Sequence, residues 1–459
     1  MLARQVFAAA LLLLLPLTAS PAKAQITQQG AKLVGTGAVG AERQGASVAV
    51  SGNGNTAVVG GYADNSNQGA AWVFVRSGGV WSQQGAKLVG TDGAGSFQQQ
   101  GWSVAVSADG NTAVVGGQAD NFNRGAVWVY VRSGGVWSQQ GAKLVGTGAV
   151  GSAIQGSSVA VSADGNTVVV GGKQDNSSRG AAWVYVRSGG VWSQQGAKLV
   201  GTDAVGTPQQ GQSVALSADG NTAVVGGPID NSSVIGQGAA WVFVRSGGAW
   251  SQQGAKLVGT GAVGTAKQGY SVAVSADGNT AVVSGFADNT NRGAAWVYVR
   301  SGGVWSQEGA KLVGTGAVGL AEQGCSVAVS GDGSTVVVGG LADNSHHGAA
   351  WVFGVPSQLD VGGGLARNAL VFAPPRPNPA TGQSELSFAL TTPGLIRLAV
   401  YDVDGRLVRT LRSGRFDHGH YQVVFDLRDA DGRLLRSGLY FAQLNADGQS
   451  QVRRIAIVK

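Results

Sequence analysis

Few residues in this sequence have the chemistry of a catalytic or metal site. Only four histidines occur in 459 residues, and two of them, His346 and His347, are adjacent and close to Asp343. Successive residues on a strand point in opposite directions, so a shared metal would require a loop conformation at this pair. The only cysteine, Cys325, has no evident histidine or asparagine partner to activate it as a nucleophile. We therefore expect no enzyme activity, no metal ion and no cofactor.

Repeated carboxylates occur in two short motifs that are typical of turns. Asp109 and Asn111 belong to a D-G-N-T motif, and Asp64 and Asn65 belong to a D-N motif. Such side chains close turns by hydrogen bonding to nearby backbone, and Asp109 with Asn111 cannot supply the roughly six to eight oxygens that calcium requires. The sequence shows no Ser/His/Asp set, phosphate-binding glycine loop or paired catalytic carboxylates.

Six copies of one unit must position these residues. The string GAKLVG recurs about every 55 residues, beginning at Gly30, Gly85, Gly141, Gly196, Gly254 and Gly309. Each unit contains four runs rich in Val, Trp and Phe or Tyr, separated by turn sequences such as D-G and S-G-G. Glycine accounts for 77 residues and charged residues for 12%, which fits many short strands and tight turns. The pattern predicts an all-β fold, a six-bladed β-propeller with four-stranded blades.

Side-chain size indicates the order of the strands within a blade. The first run, Ser47–Ser51, is small enough for a crowded central axis, whereas Trp72 and Phe74 of the third run suit the wider space between blades. The polar fourth run is typical of an outer edge strand. Gln28–Gly35 is a fourth run without the other three, and Ala349–Phe353 is a third run without a fourth. We therefore predict that the N-terminal strand closes the last blade.

The runs Q-G-x-S-V-A-V-S, V-V-G-G and G-A-A-W-V-F resemble the FG-GAP repeat of integrin-type propellers, in a secreted bacterial variant. The resemblance covers residues 25–353 and implies a propeller with a binding role. Integrin-type propellers usually have more blades, and their calcium loop is shortened here to A-D-G-N-T. We therefore expect the fold and the binding role without the metal.

The last part of the chain predicts a second domain. Residues 354–373 are rich in glycine and predict a linker, and residues 374–459 contain alternating runs that predict a small Ig-like β-sandwich. P-N-P-A-T, V-Y-D-V-D-G-R-L-V-R-T-L and S-G-L-Y-F-A-Q-L resemble the FlgD-type Ig-like fold and the C-terminal sorting domains of type IX secretion substrates. This resemblance implies an outer-membrane secretion machinery as partner and possible surface attachment; the alternative is a structural Ig-like spacer.

Residues 1–24 are typical of a secretory signal peptide. Arg4 precedes the apolar stretch Phe7–Leu17, and an A-K-A cleavage sequence ends at Ala24. The stretch is short for a membrane-spanning helix and contains Pro16, so we predict no transmembrane segment. The net charge of +7 includes no basic stripe within residues 25–353, which argues against nucleic acid as a partner. We expect an extracellular or outer-surface location.

Comparison of the six units indicates where a ligand would bind. The loops after the first and third runs barely vary, whereas the loops before the first run and between the second and third runs differ. Because strand direction alternates, both variable classes should lie on one face, and loops on a rigid scaffold usually carry function. The candidate ligand-binding residues on this face are Arg43, Tyr62, Phe97, Trp102, Phe122, Lys173, Tyr270, Phe286 and His346.

We interpret the chain as a non-catalytic surface protein whose propeller binds a glycan or a protein, as in adhesion. All tryptophans except Trp102 occupy two repeat positions, where we expect packing rather than sugar binding. Unconstrained drift of the repeats would also explain variable loops. Two other classes stay open: a secreted enzyme that acts on polysaccharide through the propeller channel, and a structural surface component that self-associates.

Overall fold

The computed structural model describes residues 28–231, 236–355, 371–373, 375–390, 394–403, 405–417, 419–446 and 449–458. The predicted signal peptide, the loop insertion at Val234 and Ile235 and most of the predicted linker lie outside these ranges. The chain divides into two compact units, Met1–Val355 and Pro356–Lys459. None of the helices in the described ranges has the length and apolar character needed to cross a membrane.

The first unit consists of six antiparallel sheets, numbered I to VI in chain order, each with its strands in sequence order. Sheet I contains β1 (Ser47–Val50), β2 (Thr56–Gly61), β3 (Ala70–Ser77) and β4 (Val80–Gln83). Sheet II contains β5 (Gln100–Val106), β6 (Thr112–Gly117), β7 (Ala126–Ser133) and β8 (Val136–Gln139). Sheet III contains β9 (Ser158–Val161), β10 (Thr167–Gly172), β11 (Ala181–Ser188) and β12 (Val191–Gln194).

Sheet IV contains β13 (Ser213–Leu216), β14 (Thr222–Gly227), β15 (Ala239–Ser246) and β16 (Ala249–Gln252). Sheet V contains β17 (Val272–Val274), β18 (Thr280–Gly285), β19 (Ala294–Ser301) and β20 (Val304–Gln307). Sheet VI contains β21 (Gln323–Val329), β22 (Thr335–Gly340) and β23 (Ala349–Gly354). The prediction of an all-β chain built from sheets of four antiparallel strands is confirmed for sheets I to V. Within the described ranges, sheet VI has three strands.

A four-residue helical turn joins the second and third strands in sheets I, II, III, V and VI. In the first of these turns, Asn65 has φ 48° and ψ 59°, and Ser66 has φ 58° and ψ 45°, so its central residues are left-handed. Asparagine tolerates this conformation better than most residues. The five turns are α1 (Asp64–Asn67), α2 (Asp120–Asn123), α3 (Asp175–Ser178), α4 (Asp288–Asn291) and α5 (Asp343–His346).

The hydrophobic core of the first unit lies between successive sheets. The fully buried Trp128 of sheet II belongs to one cluster with Val58 and Val73 of sheet I and with Leu88 of the segment between β4 and β5. We call such a segment, between the last strand of one sheet and the first of the next, a connecting segment. The last glycine of GAKLVG leaves room for the tryptophan, because a Cβ on Gly201 would lie 2.2 Å from the ring of Trp241.

A lysine–aspartate ion pair fixes each connecting segment to the sheet before it. Lys87 Nζ lies 2.5 Å from Asp64 Oδ2, and the aspartate side chain is 1% exposed. The other carboxylate oxygen, Oδ1, accepts a hydrogen bond from the backbone N–H of Val39 at 2.7 Å. The same contact recurs in the pairs Lys143–Asp120, Lys198–Asp175, Lys256–Asp230 and Lys311–Asp288.

The predicted closure of the last blade by Gln28–Gly35 is not formed. Residues 28–35 make no backbone pairing with β23 and lie against sheet I, where Arg76 Nη1 donates to Gln29 Oε1 at 3.0 Å and Leu33 packs on Trp72. Connecting segments hold the following sheet in the same way, as in the contact of Arg132 with Gln84. Sheets I and VI are not joined in this structure, and the array is open: Val48 of β1 and Val352 of β23 are exposed.

The second unit contains two antiparallel sheets, one with the order β24-β25-β28 and one with the order β27-β26-β29-β30. Buried side chains of both sheets, such as Leu386, Phe425, Leu398 and Leu444, form one core. This agrees with a two-layer β-sandwich, whereas the Ig-like topology stays a prediction. The strands are β24 (Val371–Phe372), β25 (Ser384–Leu390), β26 (Gly394–Tyr401), β27 (Leu407–Phe416), β28 (Gly419–Phe425), β29 (Gly438–Ala446) and β30 (Gln449–Ile457).

Candidate ligand-binding loops

The two classes of variable loop lie side by side along one edge of the array. The backbone N–H of Gln99, before the first strand of sheet II, donates to the carbonyl oxygen of Asn67 in α1 at 2.9 Å. At the next junction the N–H of Ile154 donates to the carbonyl oxygen of Asn123, also at 2.9 Å. We call the loops before the first strands, together with the second-to-third loops, the variable edge. Its two halves therefore come from neighbouring sheets.

One backbone position of the variable edge is left-handed in every repeat. This region is unfavourable for residues other than glycine, and most of all for a β-branched residue such as Ile154. Hydrogen bonds to the neighbouring sheet, such as that from Ile154, hold the conformation. The position therefore has a fixed backbone and carries five different residue types in six repeats: Arg43 (φ 55°), Gln99 (54°), Ile154 (57°), Gln209 (58°), Lys267 (54°) and Glu322 (53°).

Arg43, Tyr62 and Trp102 form a first cluster where sheets I and II meet. The ring centroids of Tyr62 and Trp102 are 4.8 Å apart, with an interplanar angle of 53°. The Arg43 guanidinium lies 5.4 Å from the Tyr62 centroid and donates a hydrogen bond to its hydroxyl oxygen. Arg43 is exposed and the two rings are half-buried. The structure thus brings together three of the residues predicted from the sequence.

Tyr270, Phe286 and Lys267 form a second cluster in sheet V. The centroids of Tyr270 and Phe286 are 4.5 Å apart in an edge-on arrangement, and Lys267 Nζ lies 5.1 Å from the Phe286 centroid. Lys267 occupies the left-handed position that Arg43 occupies in sheet I. Sequence reasoning missed Lys267 as a site residue, although its position in the repeat is the one that identified Arg43.

The other predicted residues are dispersed along the variable edge. Phe97 and Phe122 are 55% and 84% exposed, and Phe122 borders a surface pocket of about 600 Å³ with Arg124. Lys173 is half-buried, and burial lowers the pKa of its amine. His346 is exposed in α5. Among the described residues, these four side chains make no ring contact with either cluster.

The repeated carboxylates serve the turns and junctions. Asp109 Oδ1 accepts hydrogen bonds from the Ser107 hydroxyl at 2.5 Å and from the Asn111 N–H at 2.9 Å. Burial raises the pKa of Asp109, but these hydrogen bonds outweigh it and the pKa lies below its usual value. In the described ranges, no three His, Cys, Asp or Glu side chains come close enough to hold a metal ion. The variable edge therefore offers rings, cations and hydrogen-bonding groups.

Among solved structures, the chain is similar to PorZ, described as an essential surface component of the type IX secretion system of Porphyromonas gingivalis. The identity is 14% and the TM-score 0.38, over 90% of this chain and 51% of that one, so the chain spans about half the length of PorZ. It is also similar to a putative TolB from Agrobacterium tumefaciens (13%, TM-score 0.35, covering 68% and 90%) and to hydrazine synthase from Kuenenia stuttgartiensis (13%, TM-score 0.38, covering 71% and 100%).

A search of curated protein sequences found no match to the chain. Residues 376–458, by contrast, match the family described as the secretion system C-terminal sorting domain. The matched segment includes β25 to β30 and most of the core of the second unit. The sorting function predicted from the C-terminal motifs is therefore supported by an independent family match, which implies export to the surface or the medium. The end of the chain, residues 376–458, is thus similar to the C-terminal sorting domains of secretion systems.

Proposed function

We propose that this is a secreted surface protein that recognises an extracellular glycan or protein through its variable edge, without catalysis. The observation that carries the proposal is the presence of two clusters, each with one cation and two aromatic rings, at equivalent places on this edge. Partly exposed aromatic and basic side chains are typical of binding hot spots.

The fold does not require these aromatic side chains. At the repeat position of Trp102 and Tyr270, other units have Ala46, Ser157 and Gln212. All of these units form the same four-stranded sheet. The rings therefore add apolar area and a polar tip to two places on the edge, which suits a ligand with an apolar face and oxygen acceptors.

We further propose that the six sheets are the blades of an FG-GAP-like propeller that is open in this structure between sheets I and VI. Support comes from the first strands, β1, β5, β9, β13, β17 and β21, which contact one another in succession along the array. Such a scaffold holds the variable edge rigid. The sorting domain would then deliver this scaffold to the cell surface or the medium.

Binding of the full chain to an array of glycans and purified surface proteins tests the proposal. Trp102→Ala and Tyr270→Ala should each weaken a hit about tenfold or more, because truncating a hot-spot ring costs about 2 kcal/mol. Val136→Ala is the control, since Val136 is 69% exposed at the start of β8, beside a constant loop. Unchanged binding by both ring variants would place recognition elsewhere. Release of products from a bound polysaccharide would contradict the non-catalytic role.

A further inference from the structure

The two ends of the open array carry unmatched halves of the ion pair that fixes every internal junction. Asp343 of sheet VI occupies the position of Asp64, is 8% exposed and accepts a hydrogen bond from the Val318 N–H at 2.7 Å. Lys32, before sheet I, occupies the position of Lys87 and is exposed. Within the described ranges, neither side chain has an oppositely charged group at ion-pair distance.

Apolar side chains that are buried at internal junctions are exposed at both ends. Val352 of β23 is 69% exposed, whereas its equivalent Val73 in β3 is 1% exposed. At the other end, Val48 of β1 is 68% exposed, whereas its equivalent Val104 in β5 is 9% exposed. Sheet VI thus exposes the face that normally meets the following sheet, and sheet I exposes the face that normally meets the preceding one.

Backbone pairing is also incomplete at the ends. At the first internal junction Leu88 and Ala71 exchange two N–H···O hydrogen bonds, of 2.7 and 3.0 Å, and this bridge recurs at the other internal junctions. The equivalent residues at the ends are Leu33 and Ala350, which do not pair with each other in the structure. The exposed end of sheet VI is therefore complementary to the exposed end formed by sheet I and residues 28–35 in charge, in apolar surface and in unpaired backbone groups.

We propose that sheet VI binds sheet I and residues 28–35 of a second copy, so that the array continues head to tail from chain to chain. The five internal junctions indicate that a second copy would bind to the exposed face of sheet VI. Sheet I and residues 28–35 of that copy present the same kinds of side chain, at the same repeat positions, as the following sheet does at an internal junction. Lys32 of one copy then pairs with Asp343 of another. Five successive junctions do not close on themselves, and a head-to-tail contact that does not close generates an open helical assembly.

Sedimentation velocity of the full chain over a concentration series tests this assembly. The wild-type chain should associate progressively with concentration. Lys32→Glu and Asp343→Lys should each lower the association constant about tenfold or more, because each places like charges in a partly buried pair. A one-to-one mixture of the two variants should restore association, since every junction in the mixture then joins opposite charges.

Arg179→Glu is the matched control for Lys32→Glu, because it makes the same change in net charge on an exposed residue in the middle of the array and should leave association unchanged. Circular dichroism of each variant checks that the sheets are intact. A wild-type chain that stays monomeric, or single variants that associate as the wild type does, would overturn the proposal. Carbodiimide cross-linking of Lys32 to Asp343 within monomers would instead show that the ring closes on itself.

Discussion

At the scale of single residues, the repeats differ in whether a buried polar atom of the third strand has a hydrogen-bond partner. Tyr130, Tyr185 and Tyr298 occupy the third-strand position that is Phe74 and Phe243 in other sheets. Each tyrosine is 3% exposed, and within the described ranges no hydrogen-bond partner reaches its hydroxyl group. Burial accordingly raises the pKa of all three. The phenylalanines fill the same space without a buried hydroxyl.

Tyr185→Phe should therefore leave the free energy of unfolding unchanged or raise it by about 1 kcal/mol, because an unmatched buried hydroxyl is removed. The reciprocal change, Phe243→Tyr, should lower it by about 1–3 kcal/mol. Equilibrium denaturation in urea measures both variants. A marked loss of stability in Tyr185→Phe would mean that the hydroxyl group has a partner, such as a bound water molecule.

Residue positions could be predicted from the sequence better than residue contacts. Loop variation identified Tyr62, Trp102, Tyr270 and Phe286, but not which rings would meet. Tyr62 contacts a ring of the next sheet, whereas Phe286 contacts a ring of its own sheet, so the contacts depend on which first-strand loop carries the second ring. The lysine–aspartate pairs could have been predicted from the sequence, because each repeat contains one such lysine and one such aspartate at a nearly constant separation.

At the scale of elements, the D-G turns make the stability of the sheets depend on pH. In Asp109, Asp164, Asp219 and Asp277, burial raises the pKa, but hydrogen bonds from serine and asparagine lower it further, so the net shift is downward. In sheet VI, the hydrogen bond from the Ser330 hydroxyl is the largest cause that lowers the pKa of Asp332, to about 2. Sheet I has the neutral Asn53 at this position.

A carboxylate with a lowered pKa in the folded chain binds its proton more readily in the unfolded chain, so acid favours unfolding. The stability that these turns contribute should be complete above about pH 4 and should be lost as the pH falls towards about 2. Urea denaturation across this range measures it. A variant with asparagine at all five positions should lose less stability on acidification. Equal losses in the variant and the wild type would assign acid sensitivity to other carboxylates.

Strand positions followed from the sequence because alternating apolar runs bounded by glycine and aspartate leave few options. The second-to-third loops were harder to predict. D-N indicates a turn, but three successive left-handed residues, such as Asn121, Phe122 and Asn123, depend on hydrogen bonds to another repeat. Ring closure stays a prediction that the structure does not confirm, because closure depends on small rotations at five junctions, which no single motif encodes.

At the scale of the whole molecule, the segment that matches sorting domains is distinct in sequence from the proposed recognition surface, so export and recognition can be tested separately. Deletion of residues 376–458 should prevent the protein from reaching the cell surface or the medium in a host with type IX secretion, because that segment matches the family of C-terminal sorting domains. Immunoblots of periplasm, outer membrane and medium measure this. The full chain is the control, and equal amounts of both proteins in the medium would contradict a sorting role for this segment.

The near-identity of the connecting segments has a genetic consequence. Each segment is fixed to the sheet before it by the same ion pair and the same backbone bridge, and its last GAKLVG glycine lies against the tryptophan of the sheet after it. A repeat of about 55 residues can therefore be gained or lost without the need for a new contact surface. Coding sequences for such similar repeats are substrates for unequal recombination. Alleles that differ by whole repeats would then encode folded proteins with different numbers of variable loops. The number of repeats would thus be a heritable way to change the variable edge.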